Sequence, residues 1–162
     1  MNRRGFLLSA VALPGATLSG TTMFPEVLAQ SVQQMTHVDT KTSGPLLRSS
    51  VVKAEGIQPQ GAAPGAKAYV HFNGPTEQLA ALAAGLVTLE PGAQPHPPHR
   101  HPEEEIMIVG EGRGEFFLDG VATPVKTGDM VFAEANVLHG VKNTGETRMT
   151  FYFIKMMAKH TS

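Results

Sequence analysis

Short apolar runs separated by glycine-containing turns fill the second half of this 162-residue chain. None of the runs shows the 3.6-residue period of an amphipathic helix. Asp119-Gly120, between two of the runs, is a strong signal for a β-hairpin. Many short strands joined by tight turns predict an all-β fold, built as a sandwich or a barrel. The runs cover residues 105–109, 114–118, 121–126, 130–133, 139–142 and 148–156.

Three earlier segments are also predicted strands. Residues 46–54 have the β-branched pair Val51-Val52 at their centre, and residues 66–72 end at a turn. Residues 79–90 are ambiguous, because their alanine-rich first half has high helix propensity. The Pro91-Gly92 turn that follows favours a strand there too.

Two histidines and a glutamate lie close together in the segment from His99 to Glu105. In a β-strand, residues two apart point to the same face, so His99 and His101 can aim at one point. Pro102 breaks the strand ladder and lets Glu105 turn back towards that point. Imidazoles and a carboxylate held on a rigid scaffold suit a divalent transition metal, and His139 is a fourth candidate ligand.

This segment resembles the first sequence motif of the cupin family. In that motif a glycine precedes HxH, a glutamate follows HxH after three residues, and another glycine follows after six more. The gap after the first glycine is six residues here, where the usual pattern has five. The matching residues are Gly92, His99, His101, Glu105 and Gly112.

The second cupin motif is matched by Gly128, His139 and Asn143. Its usual proline and glycine are replaced by Glu134 and Asn136. Asparagine tolerates the left-handed conformation that a glycine would supply, whereas Glu134 leaves the shape of the loop open. The resemblance covers roughly residues 46–156 and implies a small double-stranded β-helix, or jelly-roll barrel.

The resemblance implies one metal ion held by His99, His101, Glu105 and His139. Three nitrogens and one oxygen are compatible with iron, manganese, nickel, cobalt, copper or zinc. Around this site, His96 is expected to line the approach, Glu103 and Glu104 to be solvated, and Asn143 to form a turn.

Four inward-facing residues are predicted to form an apolar substrate pocket near the metal: Met107, Phe117, Phe132 and Phe153. Such a pocket fits a small organic molecule with one metal-chelating end. The resemblance implies a metal-dependent, dioxygenase-like enzyme, although cupins with these ligands also include isomerases, decarboxylases and oxalate-processing enzymes. The alternative is a non-catalytic periplasmic module that binds a metal or a small molecule.

Two strands are apolar on both faces. If Glu105 points inward, Ile106 and Ile108 point outward, and residues 151–154 are apolar throughout. A strand that is apolar on both sides needs a second surface to bury its outer face, and the partner subunit of a homodimer would supply that surface. The alternative cover is residues 30–45 of the same chain.

The N-terminus has the features of an export signal. Arg3 and Arg4, followed by Phe6-Leu7, resemble a twin-arginine signal peptide that is cleaved after Ala29. The alternatives are a general secretory signal and an uncleaved membrane anchor. The interpretation predicts a periplasmic or secreted protein and the twin-arginine export machinery as a partner.

The complete predicted organisation is a signal peptide at residues 1–29, an exposed lead-in at 30–45, a cupin domain at 46–156 and a tail at 157–162. The formal net charge of −1 does not favour a nucleic-acid partner. The absence of cysteine excludes disulfides, thiolate metal sites and cysteine nucleophiles.

Overall fold

Eight β-strands and no helix make up the part of the chain that the structure, a computed structural model, describes: residues 38–60 and 63–159. The predicted signal peptide, with Arg3, Arg4 and Ala29, lies outside these residues. No helix among the described residues is long and apolar enough to cross a membrane. The strands are β1 (Ala66–Gly74), β2 (Leu79–Leu89), β3 (Glu104–Glu111), β4 (Arg113–Leu118), β5 (Val121–Lys126), β6 (Met130–Ala133), β7 (His139–Lys142) and β8 (Met149–Ala158).

The strands form two antiparallel sheets that enclose one core. The larger sheet has the order β1-β2-β8-β3-β6, and the smaller has the order β5-β4-β7. Strands that are distant in sequence, such as β2 and β8, are neighbours in space, as expected of a jelly roll. The predicted all-β jelly-roll barrel is therefore confirmed.

The core lies between the two sheets and is packed closely around β2 and β8. Leu89 and Met149 are fully buried, and Phe151 and Phe153 extend from β8 into the interior. A side chain at Gly85 would meet the backbone oxygen of Tyr69 at 2.2 Å and the Phe153 ring at 2.9 Å. Gly85 therefore lets β2 pass close to both β1 and the Phe153 ring.

The prediction of a strand at residues 46–54 is wrong. The segment forms bends rather than a ladder, and Val51 is 90% exposed. It is attached through the Leu47 amide, which donates to the Pro75 carbonyl at 2.8 Å, and through an Arg48–Glu77 ion pair of 2.9 Å. High β-propensity at the valine pair did not suffice, because a strand also needs a neighbour with which to pair.

The ambiguous segment at residues 79–90 is a strand despite its alanines. β2 pairs along its length with β1 on one side and β8 on the other, and these tertiary contacts override helix propensity. The predicted hairpin at Asp119-Gly120 is also confirmed, with φ angles of 44° and 92°. Asn136 adopts the expected left-handed conformation, with φ 63°.

The lead-in is attached near the end of β1. Asn73 holds it on both sides: its Nδ2 donates to the Asp39 carbonyl, and its Oδ1 accepts from the Lys41 amide, each at 2.8 Å. Residues 41–45 are exposed, as expected of a lead-in. Val38 instead packs against the core.

An outward-facing apolar patch covers part of the larger sheet. Ile106 lies opposite both Phe132 on β6 and Ile154 on β8, while Ile108 lies opposite Met130 and Tyr152. Directly opposed residues in an antiparallel pair share a face of the sheet. We call these residues the outer patch: Ile106, Ile108, Met130, Phe132, Tyr152 and Ile154.

Candidate metal centre

The two histidine-bearing segments are joined by their backbones. The His99 amide donates to the His139 carbonyl at 2.9 Å, and the His139 amide donates to the His99 carbonyl at 3.0 Å. This isolated antiparallel bridge places residues that are 40 positions apart in sequence side by side. The relative position of the two imidazoles is thus set by main-chain hydrogen bonds.

Three imidazoles converge on one region of the barrel interior. One ring nitrogen from each of His99, His101 and His139 lies within 4.8 Å of the other two. The ring centroids are separated by 5.2 Å for His99–His101, 4.8 Å for His99–His139 and 4.7 Å for His101–His139. His101 and His139 are buried, whereas His99 is half-buried.

Backbone carbonyls orient two of the rings. Nδ1 of His101 lies 3.0 Å from the Glu103 carbonyl, and Nδ1 of His139 lies 2.8 Å from the Val137 carbonyl. Because a carbonyl only accepts, each Nδ1 carries the proton and each Nε2 is the nitrogen available as a ligand. The Nε2 atoms of His101 and His139 lie 3.0 Å and 3.1 Å from Oε2 of Glu105.

The buried carboxylate of Glu105 is held in its charged form by the histidines. Burial raises its pKa, but the hydrogen bonds from His101 and His139 and their positive charge outweigh burial and lower the pKa to about 2. Burial likewise lowers the pKa of His139, but the Glu105 carboxylate and the Val137 carbonyl outweigh it and raise that pKa above 6.5. The Nε2 atoms of His101 and His139 thus both make a hydrogen bond to the same carboxylate oxygen of Glu105.

This donor set fits a divalent transition metal. Three imidazole nitrogens and one carboxylate oxygen suit iron, manganese, cobalt, nickel, copper or zinc. The ring nitrogen of a histidine ligand that does not bind the metal usually donates a hydrogen bond that fixes the orientation of the ring. Here Nδ1 of His101 and Nδ1 of His139 each lie within hydrogen-bond distance of a backbone carbonyl. A cation bound by the Nε2 atoms would take the place of the hydrogen bonds between these atoms and Glu105. The three predicted histidine ligands thus form one group that could hold a metal, and Glu105 contacts two of them.

A mostly apolar pocket opens beside the histidine cluster. Its interior volume is about 50 Å³, and His99, Glu105 and His139 form part of its wall. The apolar wall includes Val38, Ala68, Val87, Met107, Val141, Phe151 and Phe153. A molecule in this pocket would contact the cluster directly.

Two of the four predicted pocket residues are in place and two are not. Met107 and Phe153 line the pocket and lie opposite each other on β3 and β8. Phe132 is 51% exposed on the outer patch, because its partner across the ladder, Ile106, faces outward. Phe117 does not line the pocket either; its neighbour Phe116 is the residue that β4 buries in the core.

The prediction that Glu103 is solvated is wrong. It is 6% exposed, and its carboxylate lies 3.1 Å from Nδ1 of His101. Burial raises its pKa, but its own backbone amide, Lys155 and His101 contribute to a net lowering. The alternation that correctly placed Glu104 in solvent also puts Glu103 on the face of Glu105, so the signal was present in the sequence.

His96 and Asn143 have the predicted locations. His96 lines the pocket, and its ring centroid lies 3.9 Å from that of His99, with burial lowering its pKa. Asn143 is fully buried in a turn: its Nδ2 donates to the carbonyls of Leu89 and Thr147, and its Oδ1 accepts from the Gly145 amide. It holds the β7–β8 connection rather than contacting the cluster.

Lys155 is a buried, charged pocket residue that sequence reasoning missed. It is 3% exposed, lines the pocket, and lies directly across from Glu105 in the β3–β8 ladder. The alternation along β8 could have indicated it, because Phe151, Phe153 and Lys155 share one face.

Comparisons with known proteins agree with this architecture. Residues 85–155 match the family model described as a cupin domain. An oxalate-binding protein of Thermotoga maritima is 37% identical over 54 residues, a match that covers 33% of this chain. That match spans 45% of the length of the relative, less than half of it.

Solved structures of similar shape include a protein described as a cupin. An RmlC-like cupin from Shewanella frigidimarina superposes with a TM-score of 0.57 at 22% identity, covering 70% of this chain and 95% of that one. A protein described as a predicted oxalate decarboxylase, from Thermotoga maritima, gives a TM-score of 0.51 at 23% identity, covering 67% and 99%. Together with the matched domain, these structures support the cupin superfamily.

Proposed function

We propose that this protein is an exported, metal-binding cupin that acts as a mononuclear, metal-dependent enzyme of dioxygenase-like type on a small organic molecule. One observation carries the proposal: the Nε2 atoms of His101 and His139 meet the Glu105 carboxylate in the wall of an apolar pocket. A metal site that is also part of a ligand pocket suits chemistry better than a purely structural role.

The pocket's own side chains would bind and orient the molecule. Phe151, Phe153 and Val87 would exclude water from the apolar part of the substrate, while His96 and Lys155 place polar groups beside it. A divalent metal held by the cluster would supply Lewis-acid chemistry, and a redox-active one also electron transfer to dioxygen. The mostly apolar wall would strengthen the polar interactions made beside it.

A non-catalytic binding module is the second candidate. The observation that favours it is the curated relative from Thermotoga maritima, which is named for binding oxalate rather than for a reaction. In such a module the same residues would hold a metal and a small chelating molecule without transforming it. The two candidates share the metal centre and differ only in turnover.

Oxygen and substrate consumption separate the two candidates. Iron- or manganese-loaded protein is incubated with flavonols, catechols and small dicarboxylates, and dioxygen uptake and product formation are followed. Turnover that is absent from a His101→Ala variant would support the enzyme. Binding of a panel member without consumption of oxygen or of that molecule would favour the binding module. A protein that retains no divalent metal would overturn both.

Export is part of the proposal and is supported by the N-terminal sequence. The paired arginines Arg3 and Arg4 favour the twin-arginine route, which carries folded proteins. Folding before export would let the cytoplasm select the metal, since affinity alone favours copper and zinc over manganese and iron. The absence of cysteine is consistent with this order of events, because no disulfide has to form after export.

A further inference from the structure

Lys155 is a charged residue in an otherwise apolar row. The inward-facing positions of β8 are Met149, Phe151, Phe153 and Lys155, all of them buried. At the end of this row, Lys155 lines the same pocket as the histidine cluster. A buried ammonium group loses most of its hydration, so its position calls for compensating partners.

The partners of Lys155 lie on two sides. Its Nζ donates a hydrogen bond to the Val38 carbonyl, which ties the ammonium group to the lead-in. The carboxylates of Glu105, Glu103 and Asp39 attract it electrostatically, although burial lowers its pKa. Of these three carboxylates, Glu105 is also a proposed metal ligand and Asp39 is exposed to solvent.

Metal binding would change the balance of charge around Lys155. With neutral imidazoles as ligands, the buried negative charges are those of Glu103 and Glu105. A divalent metal together with Lys155 supplies three positive charges against these two. The loaded pocket therefore has surplus positive charge inside a wall of low polarity, where it is poorly screened.

We infer that the pocket selects small organic anions of the carboxylate class, and that Lys155 is the residue that determines this specificity. The inference rests on the proposed metal centre and names the substrate class of that site. A carboxylate would neutralise the surplus charge and gain a charge-assisted hydrogen bond from Nζ. The apolar wall formed by Val87, Phe151 and Phe153 would hold the remainder of the molecule.

The test uses three probes of the same shape and different charge: oxalate, oxamate and oxamide. Their affinities for the manganese-loaded protein are measured by calorimetry, and metal content is determined for every sample. Lys155→Met removes the charge and the donor, whereas Lys155→Gln removes the charge and keeps a donor for the Val38 carbonyl. Lys155→Arg keeps the charge, and Lys126→Met, at an exposed position on β5, is the matched control.

We expect Lys155→Met and Lys155→Gln to weaken oxalate binding by about thirtyfold or more. The affinity for oxamate should fall by less. The affinity for oxamide should change by no more than about threefold, because oxamide carries no charge. Lys155→Arg should restore most of the preference for oxalate. If Lys155 had a purely structural role, its replacement would instead weaken the binding of all three probes alike.

Three results would overturn the inference. If folded, metal-loaded Lys155→Gln binds oxalate as tightly as the wild type, Lys155 does not determine specificity. The proposed metal centre would be unaffected by that result. An equal loss for all three probes would make the residue structural. Wild-type protein that retains no metal would overturn the proposed function and this inference together. If Lys155→Met does not fold, Lys155→Gln carries the comparison.

Discussion

The backbone amide of Asn136 donates a hydrogen bond of 2.8 Å to the carbonyl oxygen of His101. The Asn136 carbonyl in turn accepts a hydrogen bond of 2.6 Å from Nη1 of Arg100. These bonds fasten the loop that precedes His139 to the turn that carries His101. The loop keeps its shape with Glu134 at the position where the cupin motif has proline, because hydrogen bonds across the loop supply the constraint.

Asn136→Ala should destabilise the protein, because Asn136 has a φ of 63° and alanine tolerates this left-handed conformation poorly. We expect a loss of about 1 kcal/mol in the free energy of unfolding. Asn136→Gly, the matched control, should lie within about 0.5 kcal/mol of the wild type. Urea unfolding followed by circular dichroism measures both. Equal stability of the alanine and glycine variants would contradict the role of the backbone conformation.

His101→Ala should abolish metal retention and leave a folded protein. The core of the barrel is formed by apolar side chains, such as Leu89, Met149 and Phe116, and does not depend on an ion. Metal analysis and circular dichroism of the purified variant test both halves of the prediction. Glu104→Gln is the matched control, since Glu104 is exposed and faces away from the cluster. Wholesale unfolding of His101→Ala would make the metal structural.

The stability of the metal-free protein should depend on pH through Glu105 and His139. The raised pKa of His139 stabilises the fold fully below 6.5, and this contribution is lost as the pH rises through the raised pKa. The lowered pKa of Glu105 stabilises the fold above 4.5, and this contribution is lost as the pH falls towards about 2. The pair should therefore contribute most between pH 4.5 and 6.5.

Urea unfolding in the presence of a chelator, at about pH 5.5 and about pH 8.5, measures this dependence. The wild type should lose more stability between the two conditions than Glu105→Gln, which lacks the carboxylate. Metal affinity should change in the opposite direction and rise with pH, because protons compete with the metal for the Nε2 atoms. Equal pH dependence in the wild type and Glu105→Gln would contradict the assignment.

The outer patch should form the interface of a homodimer. Met130, Phe132 and Tyr152 are exposed there beside half-buried isoleucines, which leaves apolar surface in contact with water. Phe132→Asp should convert the protein to a monomer at micromolar concentration, as measured by light scattering. Val121→Asp, at an exposed valine on the smaller sheet, should leave the dimer intact. A monomeric wild type would contradict the prediction.

Replacing Arg3 and Arg4 with lysine should block export. We expect folded, metal-loaded protein to accumulate in the cytoplasm, because the twin-arginine route depends on both guanidinium groups. Cell fractionation followed by metal analysis of each fraction tests this. Normal export of the variant would point to the general secretory route and remove the argument for metal selection before export.

Local patterns in the sequence determined most of the strands and the spacing of the proposed ligands. With Glu105 taken to point inward, residue alternation predicted that Met107 points inward while Ile106 and Ile108 point outward, and the burial along β3 agrees. The spacing of His99, His101 and Glu105 is similarly a local property, because it depends only on strand geometry and the bend at Pro102. The left-handed conformation of Asn136 followed from its side chain.

Pairing between distant strands decided the rest. Phe132 faces outward because it lies opposite Ile106, and Lys155 enters the pocket because it lies opposite Glu105, 50 residues away. Residues 46–54 had the composition of a strand but gained no neighbour with which to pair. A sequence shows that the side chains of a strand alternate between two faces. The register with the neighbouring strands decides which face is buried and which side chains meet. That register depends on contacts between residues far apart in the chain, so a local pattern cannot determine it.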